Sequence, residues 1–151
     1  SDPVFLAPGD MPARIQSYCR ESGQAVPETR GEIMRCALES LALEYRRVAD
    51  SLAALVGEPL STVHILGGGS QNRLLNQFTA DATGRVVVAG PVEATAIGNV
   101  LVQALALGQL DSLQNGRDLV RCSFAVETFE PCDSANWQAA LVRYQALTGQ
   151  V

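Results

Sequence analysis

An α/β fold of short parallel strands alternating with helices is predicted, and three observations carry it. Two short apolar runs, residues 63–66 and 86–89, are each closed by glycines. The stretch between them has helical character, and a further apolar helix follows the second run. Strands joined through helices in this way run parallel, because the crossover carries the chain back to the end of the sheet from which the first strand started. With 151 residues, 47% apolar and 18% charged, the chain has material for one core of ordinary size.

The elements follow in order. Asp10 before Met11-Pro12 has the form of an N-cap followed by an early proline, and Gly23 ends the run, so a first helix is expected over 11–22 with Ile15, Tyr18, Cys19 and Ser22 on one face. Thr29-Arg30-Gly31-Glu32 is a capping box. After it Ile33, Ala37, Leu41, Tyr45, Val48, Leu52 and Leu55 recur at three- and four-residue steps up to Gly57, which predicts a long helix with this stripe in the core. Glu39, Glu44, Arg46 and Arg47 are expected on its solvated side. A strand at 63–66, a helix at about 72–83 capped by Gly84, a strand at 86–89, a turn at Gly90-Pro91 and a helix at about 93–107 stopped by Gly108 complete the alternation. Beyond this, 124–129 has the loose alternation of an edge strand, and Ser134 is expected to cap a last helix carrying Trp137, Leu141 and Tyr144. So thin a sheet for so much helix reads as part of something larger, and the first residues, without Met, look like a cut. Strand edges left unpaired in this way make self-association of the chain an expectation.

Composition removes several function classes. A formal charge of −5 with eleven scattered arginines argues against a nucleic-acid or anionic-membrane surface, and no run approaches the ~20 apolar residues of a membrane span. Cys19, Cys36, Cys122 and Cys132 contain no C-x-x-C pair, so neither a zinc ribbon nor a redox motif is present, and small buried thiols in a reducing cytoplasm are expected. Cys19 and Cys36 lie on neighbouring helices where they can meet. His64 is the sole histidine and falls inside a strand, which excludes a multi-histidine metal site and suggests a structural role. Asp81 has no evident partner, and Glu93 fits the start of a helix, where a carboxylate is favoured by the macrodipole. No base and nucleophile pair is recognisable, so no catalytic residue is assigned.

The informative segment is Val63-His64-Ile65-Leu66-Gly67-Gly68-Gly69-Ser70-Gln71-Asn72, an apolar strand breaking into three glycines before a helix start. Glycine permits a sharp turn and close approach of backbone to a ligand, and the first amides of a helix face an anion. The absence of lysine excludes a P-loop and Schiff-base chemistry. A dinucleotide fingerprint lacks its third glycine at Asn72 and the acidic residue after Val86-Val87-Val88-Ala89. A tight strand-to-helix turn with an Asn cap remains the structural alternative. Gly98, inside an apolar helix, costs about 1 kcal/mol against Ala unless another element packs closely there.

Leu66-Gly67-Gly68-Gly69-Ser70-Gln71-Asn72-Arg73-Leu74-Leu75-Asn76-Gln77 and Ala89-Gly90-Pro91-Val92-Glu93-Ala94-Thr95-Ala96-Ile97-Gly98-Asn99 resemble the C-terminal part of the FGGY carbohydrate kinases, within them the subgroup acting on L-rhamnulose. Glu32-Ile33-Met34-Arg35-Cys36-Ala37-Leu38-Glu39 resembles a second signature of that family, with Cys36 where Ala or Ser is usual. The resemblance becomes faint after about Leu110. It implies a ribonuclease H-like, actin-like ATPase domain, of which residues 1–151 form the later part of the second, nucleotide-binding domain, with the sugar-binding domain and catalytic aspartate upstream. It further implies ATP, with Mg²⁺, against Gly67, Gly68 and Gly69, and Asn72 near the adenosine. The implied reaction is transfer of the γ-phosphoryl to the 1-hydroxyl of L-rhamnulose in rhamnose catabolism. A kinase for xylulose, ribulose or fuculose, and a non-catalytic adenine-nucleotide module, are the alternatives.

Overall fold

Cap chemistry sets the helix boundaries. In a computed structural model that describes residues 3–149, apart from the side chain of Ser134, helix α1 is Met11–Glu21 and helix α2 is Arg30–Val56. Asp10 accepts the Ala13 amide at 3.1 Å at the first. At the second the capping box is complete: Thr29 Oγ1 accepts the Glu32 amide at 3.2 Å while the Glu32 carboxylate accepts the Thr29 amide at 3.0 Å. Strand β1 (Thr62–Ile65), a 3₁₀ segment (Gly67–Gln71), helix α3 (Arg73–Thr83) and strand β2 (Val86–Ala89) follow. Helix α4 (Ala94–Ala106), helix α5 (Leu113–Ser123), strand β3 (Glu127–Phe129) and helix α6 (Ser134–Thr148) complete the chain. Among the described residues no helix is long and apolar enough to cross a membrane.

The sheet order is β1-β2-β3. β1 and β2 run parallel, Thr62 opposite Val86 through Ile65 opposite Ala89, as the alternation predicts. β3 is the expected edge strand but lies antiparallel on β2, so the sheet is mixed rather than purely parallel.

α3 forms the middle layer. One side packs Phe78 and Ala82 against Leu38, Ala42 and Leu43 of α2 and Trp137 and Leu141 of α6, and the Phe78 and Trp137 rings stand 5.2 Å apart in a tilted arrangement. The other side brings Ala80 onto Val87, Ala89 and Phe129 of the sheet. Such a helix, covered on both sides, buries every residue from Phe78 to Thr83.

Several expectations are corrected. The apolar stripe of α2 expected in the core is largely open: Leu41, Tyr45, Val48, Leu52 and Leu55 are exposed, and Leu38, Ala42, Leu43 and Ala49 are buried instead. α2 is apolar on two faces, and α3 and α6 cover only one of them. The charges of α2 are not simply solvated either. Arg46 donates to the Ala82 carbonyl at 2.9 Å near the end of α3, where a cation complements the helix dipole. Asp50 pairs with Arg85 at 2.7 Å, and Arg85 also donates to the Leu60 carbonyl.

Asp81 has partners after all: its carboxylate accepts the Cys132 amide at 2.7 Å and the Gln77 side chain at 3.0 Å, holding the segment between β3 and α6. Helix α5, absent from the sequence reading, packs Gly116 against Leu101. The last helix starts at Ser134, so its N-cap position is Asp133 rather than Ser134, whose side chain lies outside the described residues. Nothing approaches a Cβ built on Gly98, and α4 buries no residue. Among the described residues no element therefore supplies the close packing that would offset the cost of Gly98. His64 is exposed on β1, so it fills no core position. Of the cysteines, all free, only Cys19 is buried, while Cys122 and Cys132 are exposed. Cys36 does meet Cys19, and burial together with that neighbour pushes the Cys36 thiol up to about 11.

Glu44, Arg47 and Tyr144 tie α2 to α6. Arg47 Nε and the Tyr144 hydroxyl both donate to Glu44 Oε2 at 2.8 Å. The Arg47 bond, aided by Tyr144, lowers the Glu44 carboxyl to about 2, and burial with the Glu44 bond raises Tyr144 to about 12. Glu44 binds its proton more weakly folded than unfolded. Its contribution is complete above the unfolded value of about 4.3 and is lost as pH falls toward 2. Tyr144 holds its proton more tightly when folded, so its contribution is complete below about 10 and fades as pH rises toward 12. Melting temperature against pH is expected to fall at both ends, and Tyr144→Phe should remove the alkaline limb above pH 10.

Candidate functional site

Leu66 leaves β1 in extended backbone (φ −122°, ψ 158°) and Gly67 then reverses the chain at φ +78°, in the left-handed region that favours glycine. The Gly67–Gln71 turn follows, and Asn72 opens α3 by accepting the Leu75 amide on Oδ1 at 3.1 Å. The Asn cap that sequence offered as the structural alternative is thus present, and Asn72 Nδ2 donates to nothing among the described residues.

Two backbone bonds join this turn to the one after β2. The Gly67 amide donates to the Pro91 carbonyl at 3.1 Å, and the Gly90 amide to the Ile65 carbonyl at 2.8 Å. A Cβ on Gly90 would come within 2.3 Å of Leu66 Cδ2, so the second turn fits under the first only as glycine with the Leu66 side chain where it stands. Beneath the turn, buried Ser70 donates to the Gly67 carbonyl at 2.7 Å, and wholly buried Asn76 donates from Nδ2 to the Ser70 carbonyl at 2.8 Å.

The upper surface is open. Gly68 and Gly69 are exposed; nothing lies within 4 Å of a Cβ placed on Gly68, and only Ile65 Cγ2, at 3.8 Å, near one on Gly69. Since β1 and β2 are parallel, this surface stands at their carboxyl ends, beside the starts of α3 and α4, which is where α/β sheets take ligands. Gly67, Gly68 and Gly69 lie in this turn and Asn72 closes it.

The carboxylates are elsewhere or unsupported. Asp81 sits near the far end of α3, engaged with Cys132 and Gln77. Glu93 occupies the N-cap position of α4, exposed and without a side-chain cap bond. No cluster of His, Cys, Asp or Glu suited to a metal ion occurs among the described residues. A groove of about 770 Å³ between α1, α2 and α6, lined by Tyr18, Cys36, Leu41 and Leu147 among others, shares no residue with the glycine turn. Sequence reasoning missed Ser70 and Asn76. The available signal was a polar residue, Asn76, on the side of α3 that carries Thr79, Ala80 and Thr83.

The model of the C-terminal domain of the FGGY family of carbohydrate kinases matches residues 1–107, a span that includes both joined turns. The chain belongs to that family. FGGY relatives agree along most of its length. It is 51% identical over 144 residues to a rhamnulokinase of Bacteroides thetaiotaomicron, covering 95% of this chain and 30% of the relative. It is 50% identical over 131 residues to one of Klebsiella pneumoniae, covering 87% and 27%, and 46% identical over 138 residues to one of Enterococcus faecalis, covering 89% and 28%. The chain spans less than a third of the length of these FGGY relatives. Identity with them extends past Leu110, after which the sequence resemblance is faint.

Proposed function

We propose that this chain is the adenosine-side C-terminal part of a rhamnulokinase, a phosphotransferase whose full-length form moves the γ-phosphoryl of ATP to the 1-hydroxyl of L-rhamnulose in the cytoplasm. The observation that carries the reading is the open glycine turn at the carboxyl ends of two parallel strands. The similarity to rhamnulokinases suggests the substrate.

In this reading residues 1–151 are the later part of a ribonuclease H-like nucleotide-binding domain. Gly68 presents bare backbone to ATP, Gly67 and Gly69 flank it, and the free Asn72 amide group stands beside the adenosine. Mg²⁺ travels with the triphosphate; with no metal cluster among the described residues, the groups that orient it and the sugar belong to the rest of the parent. Phosphoryl transfer rests on positioning and charge stabilisation, and this chain's share is positioning. The uncovered edge of β1 and the exposed apolar faces of α2 and α4 favour self-association when the chain is alone.

Gly68→Val in the full-length enzyme tests the reading well because its backbone is not in the left-handed region and its Cβ meets nothing. The fold should tolerate valine, whereas a nucleotide lying on the turn should not. The KM for ATP is expected to rise at least about tenfold, equivalent to about 1.4 kcal/mol, with the KM for sugar unchanged. Equal loss of both, with melting temperature intact, would count against the assignment.

A further inference from the structure

We propose that Asn76 is a positioning residue for the nucleotide, fixing the glycine turn from below; the proposal rests on the reading of that turn as the adenosine site. Three glycines in a run of five residues give this segment wide conformational freedom in the absence of other restraints, and a ligand that must order it loses affinity. Two side chains act in series against that freedom. Ser70 holds the Gly67 carbonyl at 2.7 Å, and Asn76, from the second turn of α3, holds the Ser70 carbonyl at 2.8 Å. Asn76 is 0% exposed and rides on the most buried helix of the fold, so the turn is referenced to the core rather than to another loop.

A second observation separates this role from ordinary core filling. Asn76 Oδ1 is buried and accepts no hydrogen bond among the described residues. A buried acceptor without a donor carries a desolvation cost, which a leucine of similar size would not have. Only the donor half of the amide is used, and it is used on the turn. Asparagine therefore occupies this position for its N–H group and tolerates its orphaned oxygen.

The test uses the full-length enzyme with Asn76→Leu and Asn76→Asp, alongside Gly68→Val. Losing one neutral hydrogen bond to the turn should raise the KM for ATP about three- to tenfold, leaving kcat and the KM for L-rhamnulose within about twofold. Asn76→Asp offers a rescue, because a protonated carboxyl restores a donor toward the Ser70 carbonyl. Its ATP KM should approach that of the native enzyme as pH is lowered from 8 to 6, while the native and Leu forms keep a constant ratio. Changed melting temperature with unchanged ATP KM, loss of ATP and sugar affinity together, or failure of both variants to fold would each assign Asn76 to the core and overturn the proposal. If Gly68→Val raises the ATP KM and the Asn76 variants do not, the proposal fails and the nucleotide reading stands. If none of the three changes it, both fail.

Discussion

The 151-residue chain, supplied with MgATP and L-rhamnulose, is expected to give no phosphoryl transfer above background in a coupled ADP-release assay. The reaction needs a base for the sugar hydroxyl, positive groups around the migrating phosphoryl, and a cleft that excludes water. Each need can be checked against named residues. The chain has no lysine, and His64 lies within β1 rather than in the turn that follows the strand. Asp81 is buried with its carboxylate committed to the Cys132 amide and Gln77. Glu93 stands nearer, at the start of α4, but is exposed, makes no side-chain cap bond, and among the described residues is joined to no group that would orient it. The glycine turn itself is open to solvent. Turnover that persists through further purification and disappears in Glu93→Ala would overturn this expectation and make the chain a complete catalyst.

Trp137→Ala is expected to destabilise the chain by about 3–5 kcal/mol, a large share of the ~5–15 kcal/mol that holds a domain together. Trp137 and Leu141 are the two buried hydrophobic residues of α6, and both enter one cluster with Leu38, Ala42, Leu43, Phe78 and Ala82. Removing the indole leaves a cavity against the Phe78 ring and strips α6 of its larger anchor. The sheet side of α3 has its own cluster of Ala80, Val87, Ala89 and Phe129, which should outlast the change. Urea denaturation should show a lower midpoint, and hydrogen exchange should rise first in α6 and last in β2. Val142→Ala, at a side chain 59% exposed on the same helix, should stay within about 0.5 kcal/mol. Equal midpoints for the two variants would show that α6 does not depend on this cluster.

Local chemistry was legible wherever it acts alone. The capping box at Thr29, the Asn72 cap, the left-handed Gly84 and the two apolar strands all read directly from neighbours in sequence. The turn that holds Gly67, Gly68 and Gly69 and ends at Asn72 was legible for the same reason, since a turn is a local object. What failed depends on partners distant in sequence. Helix α5 carries Asn115 and Gly116 near its start, poor helix formers, yet Gly116 lies buried in ordinary contact range of the Leu101 and Leu110 side chains, neighbours that only the tertiary fold supplies. The periodicity of α2 located its apolar residues, but only the positions of α3 and α6 decide which face is covered. Asn76 looked like one more helix residue until the turn folded back over it.

The paired bonds from Gly67 to Pro91 and from Gly90 to Ile65 set a rule about length. Each turn is measured against the other, as two teeth of one zipper, so a residue added to or removed from either would shift amide past carbonyl and undo both bonds. Insertions and deletions acquired as such chains diverge should therefore be absent from the two strand-to-helix connections. Gln109, Leu110 and Asp111, between α4 and α5, form no part of that zipper, and changes in length can accumulate there without disturbing the turns.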